Sequence, residues 1–213
     1  MSADGNANLR HIVIVLTSGI MAACYPNVPL DTIDLEKIRS VALIGFAEPK
    51  FQVGSIGGLL EPQQPATTDR LNAAMSAEKL HLGAELKIAI AEALRNEGYD
   101  VEESANAWRT DAILDGELVA VEYAPSNPLI GGGGQFTPEV VARVELTEAR
   151  TGKVLFAKSY DYSVLTGADF RPDAKYRFGI SEDMFRNPQF TADGFRASEP
   201  LIASAVAAAL LGK

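Results

Sequence analysis

The chain has 213 residues, 47% of them hydrophobic, with a formal net charge of −9 and a single cysteine. This length and composition suit one well-filled core, and a second independent domain is not expected. The negative charge disfavours nucleic acid and anionic lipid headgroups as partners. A lone cysteine excludes an internal disulfide and is a poor basis for a redox or metal centre.

The N-terminal segment has the pattern of a bacterial export signal. Arg10 supplies a positive flank, and residues 12–23 are apolar or small throughout. This run is too short for a membrane-spanning helix, which needs about 20 residues, but it suits the apolar part of a signal peptide. It ends in Met21-Ala22-Ala23-Cys24, which resembles the lipobox of bacterial lipoproteins, with Met21 where leucine is usual.

We therefore predict that residues 1–23 are removed as a signal peptide and that Cys24 is acylated, with palmitate among the expected chains. Residues 24–32 contain Pro26 and Pro29 and are expected to form an extended lipidated tether. Tyr25 is not the aspartate that commonly retains lipoproteins in the inner membrane. The predicted location is thus the periplasmic face of the outer membrane. The alternative is a buried helix in which Cys24 packs as a small hydrophobic side chain.

A single domain is predicted over residues 33–213, and it begins with a strand. Residues 41–46 form a short apolar run followed by Pro49, which favours a buried strand. Residues 47–77 lack sustained periodicity. They predict a long loop with one short helical turn around residues 71–75.

The clearest helix is predicted over residues 78–96. Leu82, Leu86, Ile90 and Leu94 repeat every four residues and form one apolar stripe. Gly98 follows, at a position typical of the end of a helix.

Three strands are predicted after this helix. The first covers residues 111–123, and its acidic residues indicate that one face of the sheet is wet. Residues 140–149 alternate between apolar and polar, and a turn at 150–153 leads into residues 154–163, which predicts a hairpin. Residues 125–138, with four glycines at 131–134, are expected to connect the first two of these strands.

The last part of the chain combines an irregular segment with a helix. Residues 164–197, named the arm here, are rich in aromatic residues and lack regular periodicity. Ser198 is predicted to cap a helix whose first turn contains Glu199 and Pro200 and whose Ala- and Leu-rich part covers residues 201–211. The order strand, helix, three strands, helix predicts an α+β domain, with two main helices packed on a mostly antiparallel sheet.

Short motifs along most of the chain occur in the order known from one family of envelope proteins. They lie at residues 41–46, 82–101, 111–116, 131–134, 144–155 and 199–201. In this order they resemble the periplasmic domain of the curli-secretion lipoprotein family and, more distantly, the penicillin-binding-protein activator lipoproteins. The resemblance implies an α+β fold and a place in the cell envelope, in proteins that work as rings or as regulators of larger machines.

The chain departs from the curli exporter where that family inserts its transmembrane barrel strands. A barrel strand needs about 9–11 alternating residues. Residues 123–140 contain too many prolines and glycines for a pair of such strands, and residues 164–197 do not alternate. The fold and the envelope setting are therefore expected here, without the pore.

No pattern in the sequence points to catalysis, a metal or a cofactor. His81 is the one histidine after Cys24, and a structural role is expected for it. A Gly-x-Ser-x-Gly elbow is absent, and no lysine follows the glycines at 131–134 as a phosphate loop requires. Adjacent acids such as Glu102 and Glu103 are expected to be solvated.

Two classes of function remain open. The favoured one is a non-enzymatic accessory or scaffold lipoprotein that binds another envelope protein or copies of itself. Tyr176, Phe178, Phe185 and Phe190 of the arm are the candidate partner-binding residues, unless the arm packs on its own sheet. The alternative function is a carrier or enzyme directed at lipid or peptidoglycan, which needs a ligand cleft.

Overall fold

The computed structural model describes residue 35 and residues 37–54, 65–103, 109–125, 135–165 and 174–212. The predicted signal peptide, the tether with Cys24 and the glycines at 131–134 lie outside these residues. The first ten positions of the arm, 164–173, are described only as far as Leu165.

The described residues form one six-stranded sheet with the order β3-β1-β4-β5-β6, and β2 pairs with β4. The strands are β1 (Ser40–Ala47), β2 (Gln52–Val53), β3 (Asp100–Glu102), β4 (Ala112–Pro125), β5 (Phe136–Glu148) and β6 (Val154–Asp161). β1 is parallel to β3 and β4, and β2 is parallel to β4, whereas β4, β5 and β6 are antiparallel. The α+β class is confirmed, but the sheet is mixed, because long helical crossovers allow parallel pairing.

The helices are α1 (Pro65–Ala77), α2 (Leu82–Asn96), α3 (Tyr162–Leu165), α4 (Ser181–Arg186), α5 (Pro188–Arg196) and α6 (Glu199–Leu210). α2 confirms the predicted stripe, since Leu82, Leu86, Ile90 and Leu94 are all buried. It begins four residues later than predicted. Lys79 has a left-handed backbone (φ 53°), which separates α1 from α2.

α1 is much longer than the single turn that the sequence predicted. Its large buried side chains are Leu71 and Met75, one turn apart, so its apolar periodicity is weak. A side chain of α1 also holds the chain that leads into β2. The Asn72 amide accepts the N–H of Phe51 at 3.1 Å and donates to the carbonyl oxygen of Phe51 at 2.7 Å.

The predicted hairpin is confirmed. The alternation of apolar and polar residues along β5 decides which side of that strand faces the core. Val140, Ala142, Val144 and Leu146 of β5 are buried, whereas the residues between them are half-buried. β6 returns antiparallel through a turn in which Gly152 takes a left-handed conformation (φ 71°). We call the buried side of β4 and β5 the covered face and the other side the open face.

α2 and α6 lie side by side and point the same way. At their C-terminal ends the Tyr99 hydroxyl, just beyond α2, donates to the carbonyl oxygen of Leu210 at 3.2 Å. α6 begins where the sequence predicted, but Ser198 does not cap it with its side chain. Its hydroxyl instead donates to the carbonyl oxygen of Phe195 at 2.7 Å, toward the preceding helix.

Candidate functional site

The arm is helical over much of its described length, not irregular. It contains a 3-10 turn (Ala174–Tyr176) followed by α4 and α5. Phe178 joins the arm to the sheet through two backbone hydrogen bonds with Phe136, of 2.8 and 3.0 Å. Pro188 opens α5 at a position that needs no N–H donor. The sequence shows no helical periodicity here because the helices are short and contain proline and glycine.

Tyr123 of β4 is the residue around which the arm packs. Its ring centroid lies 5.4 Å from that of Phe178 and 5.0 Å from that of Phe195, both edge-on. Its hydroxyl donates to the carbonyl oxygen of Thr191 in α5 at 3.1 Å. Burial raises the pKa of Tyr123, so the hydroxyl stays protonated and remains a donor.

A glycine lets α5 approach this tyrosine closely. A Cβ atom at position 194 would collide with the Tyr123 hydroxyl, so no larger residue fits there without displacement. No motif in the sequence points to Tyr123 or Gly194. The available signal was the position of Tyr123 in the buried alternation of β4, because a buried tyrosine hydroxyl needs a partner.

The four candidate partner-binding residues pack, in varying degree, against the chain itself. Tyr176 and Phe178 are only 9% and 5% exposed, whereas Phe185 and Phe190 are half-buried. The Phe190 ring centroid lies 5.1 Å from that of Tyr176 and 5.7 Å from that of Phe178. The alternative of an arm packed on its own sheet therefore describes most of this surface. A partner-binding role stays a prediction.

The outer margin of the arm keeps some apolar surface. Ile180 is 53% exposed and lies between Phe178 and α4. The Arg70 guanidinium of α1 sits 4.2 Å from the ring centroid of Phe185 and also contacts Glu182 at 3.4 Å. Within the described part of the arm, Ile180, with the half-buried Phe185 and Phe190, forms this margin and supplies apolar surface that a partner can reach.

The open face carries charged side chains in register across β4 and β5. Asp115, Glu117, Arg143 and Glu145 line a shallow cavity of about 230 Å³ together with Gly116. Arg143 contacts Glu117 at 3.4 Å and Glu145 at 3.9 Å. Exposed ion pairs of this kind contribute about 0–1 kcal/mol each to stability.

Two glutamates oppose each other farther along the same strands. Glu122 of β4 pairs directly with Glu139 of β5, and both are half-buried. Burial, and then the negative charges of Glu122 and Asp161, raise the pKa of Glu139 to about 7. Burial also raises the pKa of Glu122. Within the described ranges, no group of three or more potential ligands is arranged to hold a metal ion.

A larger cavity of about 670 Å³ lies at the end of the sheet near the hairpin turn. It is lined by Lys37, Ile38, Thr110, Asp111, Glu148, Ala149, Arg150 and Leu155. Asp111 Oδ2 accepts the backbone N–H groups of Arg39 and Ser40, both at 2.9 Å. These hydrogen bonds lower the pKa of Asp111, so the carboxylate connects the starts of β1 and β4 and is a poor proton acceptor.

Neither cavity has the lining that the alternative function predicts. Its expected signature is an apolar pocket ringed by carboxylates of shifted pKa. Glu122, Glu139 and Glu199 have raised pKa values, but none of them lines the two cavities. Asp111 does line the larger cavity, but its pKa is lowered because its carboxylate is held by backbone amides. His81 is exposed just before α2, where its backbone N–H donates to Glu85 Oε1 at 3.2 Å.

Among the described residues, no helix is long and apolar enough to cross a membrane. No family model and no curated protein matches the chain. Several solved structures are similar to it at low TM-scores, among them three bacterial proteins.

The PelC dodecamer from Paraburkholderia phytofirmans is 15% identical and covers 76% of this chain and 87% of its own, with a TM-score of 0.32. Protein XCC0632 from Xanthomonas campestris is 13% identical over 81% of this chain and 85% of its own, with a TM-score of 0.45. Lipoprotein GNA1162 from Neisseria meningitidis is 15% identical over 58% of this chain and 78% of its own, with a TM-score of 0.28. At such TM-scores these similarities carry no conclusion about what this chain binds or does.

Proposed function

We propose that this protein is a lipid-anchored envelope lipoprotein, without enzymatic activity, that serves as an accessory or scaffold subunit. The observation that carries the proposal is Met21-Ala22-Ala23-Cys24 at the end of a short apolar segment. Leu35, eleven positions after Cys24, is already part of the hydrophobic core. An acylated Cys24 would thus hold the folded domain close to the periplasmic face of the outer membrane.

The charged groups in the two cavities favour a binding role over a catalytic one. The Asp111 carboxylate accepts hydrogen bonds from two backbone amides, and Arg143 forms ion pairs with two carboxylates of the open face. A general acid or base instead needs a pKa near the working pH and free access to substrate. A lipid or peptidoglycan carrier remains the second candidate, with the cavity of about 670 Å³ as its site.

The anchor is tested by replacing Cys24. Cys24→Ser should accumulate as a larger, unacylated precursor, because the signal peptidase for lipoproteins requires the cysteine. Globomycin, which inhibits that peptidase, should produce the same size shift in the wild type. Tyr25→Asp is the matched control: it should be cut and acylated normally but move to the inner-membrane fraction. A size and a membrane fraction unaffected by both Cys24→Ser and globomycin would contradict the anchor.

The docking role is tested at the outer margin of the arm. Ile180→Ser should weaken self-association or the crosslinked recovery of an envelope partner, because it removes exposed apolar area without touching the core. Ile88→Ser is the control, since Ile88 is also about half exposed (52%) but lies on α2. Analytical ultracentrifugation and crosslinking from membranes measure the effect. Equal behaviour of both variants would exclude this margin as the docking surface.

Replacement of Phe178 is not a specific test of docking, because it also disturbs the fold. The side chain is buried against Tyr123 and Phe190, so Phe178→Ser, alone or together with Phe185→Ser, is expected to unfold the arm. Circular dichroism of each variant is therefore recorded before its association is measured.

A further inference from the structure

Three helices meet at a cluster of charged side chains on the helical side of the domain. Glu85 lies in the first turn of α2, Arg196 is the last residue of α5, and Glu199 is the first residue of α6. Arg196 Nε donates to Glu85 Oε2 at 2.8 Å, and both side chains are about one-third exposed. Arg196 Nη1 also contacts Asp193 Oδ1 at 3.5 Å.

Glu199 is the member of this cluster whose hydrogen bonding is incomplete. Its Oε1 atom is buried and, within the described part of the chain, has no hydrogen-bond partner. The Glu85 carboxylate lies within hydrogen-bonding reach of the Glu199 carboxyl. Two ionised carboxylates in such contact repel each other, whereas one proton between them turns repulsion into a hydrogen bond.

The surrounding charges do not compensate both acids. Among the described residues, the charged groups that act on Glu199 are Glu85 of α2 and Arg196 of α5, with Asp193 next to Arg196. His81 offers Glu85 its backbone amide, and its side chain is exposed. One guanidinium therefore faces three carboxyl groups.

The two glutamates respond differently to this environment. Burial, and then the charge of Glu85, raise the pKa of Glu199 to about 7, against the opposite effect of Arg196. Burial alone would raise the pKa of Glu85, but hydrogen bonds from Arg196 and the His81 amide outweigh it and lower that pKa. Glu199 is therefore the group that carries the proton near neutral pH.

We propose that Glu85 and Glu199 share one proton and that this proton holds the junction of the arm and α6 against α2, so that the junction loosens as the pH rises from acid to neutral and the proton is lost. The proposal goes beyond the proposed function, since it requires neither lipid nor partner. It concerns residues 196–199, which connect α5 to α6.

The junction is coupled to the aromatic packing of the arm. Ser198 donates to the carbonyl oxygen of Phe195, and the Phe195 ring lies 5.2 Å from Phe51 and 5.0 Å from Tyr123. A displaced junction therefore disturbs the contact by which α5 packs on the sheet. The junction should be most stable at low pH, because a carboxyl whose pKa is raised by folding favours the folded form there. This contribution to stability declines as the pH rises through the folded pKa.

The test compares the full chain with Glu199→Gln between pH 5.5 and 8.5. Wild-type amide protection at residues 196–202 should fall by up to about tenfold per pH unit as the pH rises from 5.5 to 7, after correction for intrinsic exchange, and should level off above pH 7, where Glu199 is ionised in the closed and in the loosened junction alike. Glu199→Gln, which keeps a neutral side chain, should remove this dependence. Glu139→Gln, on the open face, is the control that should leave the dependence at residues 196–202 in place.

A second measurement covers the case in which Glu199→Gln does not fold. Side-chain carboxyl 13C shifts of the wild type should show one glutamate at the junction titrating near pH 7. Titration of both Glu85 and Glu199 below pH 5 would overturn the proposal. Protection at residues 196–202 that falls equally in the wild type and in Glu199→Gln would overturn it as well.

Discussion

The covered and open faces of β4 and β5 belong to the same strands but differ in chemistry. On the covered face Leu118, Val140 and Val144 are buried beneath the helices. On the open face Glu117, Glu139 and other charged residues face outward in cross-strand register. The covered face therefore supplies stability through area removed from water, whereas the open face carries charge and, through Glu139, a pH response of its own.

The largest expected change in stability comes from the buried stripe of α2, in the helical layer of the domain. Leu86→Ala or Ile90→Ala should lower the free energy of unfolding by about 2–5 kcal/mol, since both side chains are buried and leave a cavity. Ile88→Ala on the same helix is the control, and its loss should stay within about 0.5 kcal/mol because Ile88 is exposed. Urea denaturation measures both. Similar losses for all three would mean that the buried stripe of α2 is misassigned.

A smaller effect is expected on the open face, and it depends on pH. Glu139 has its folded pKa raised to about 7, so its contribution to stability is fully present at pH 4 and declines as the pH rises through 7. Glu139→Gln should therefore stabilise the protein at pH 8 by about 1 kcal/mol, a value reduced for solvent screening. At pH 5 the same change should have little effect.

The measurement is the urea midpoint of wild type and variant at pH 5 and pH 8. Arg143→Gln is the control on the same face. It should change stability by no more than about 0.5 kcal/mol, with little dependence on pH, because its partners are exposed. A Glu139→Gln effect that is equal at both pH values would show that the carboxyl ionises normally in the folded protein.

Local patterns in the sequence were sufficient for the elements that carry strong periodicity. The stripe from Leu82 to Leu94 predicted α2, and the alternation from Val140 to Leu146 predicted the side of β5 that is buried. Such patterns are reliable because a helix repeats every 3.6 residues and a strand every two, whatever lies farther away. The tetrapeptide ending in Cys24 is likewise a local signal, and the anchor it predicts depends on no tertiary contact.

How these elements meet depends on contacts between residues that are far apart in the chain. The parallel pairing of β1 with β3 and β4 depends on crossovers of many residues, which no short window of sequence reveals. The arm was predicted to be irregular, but contacts to Tyr123 hold its short helices in place. Glu85 and Arg196 are 111 positions apart in the chain, and yet Arg196 Nε lies 2.8 Å from Glu85 Oε2. Local periodicity and the anchor motif can be recognised in short windows of sequence, whereas long-range packing brings together the aromatic groups that hold the arm and the charged groups of the junction between α5 and α6.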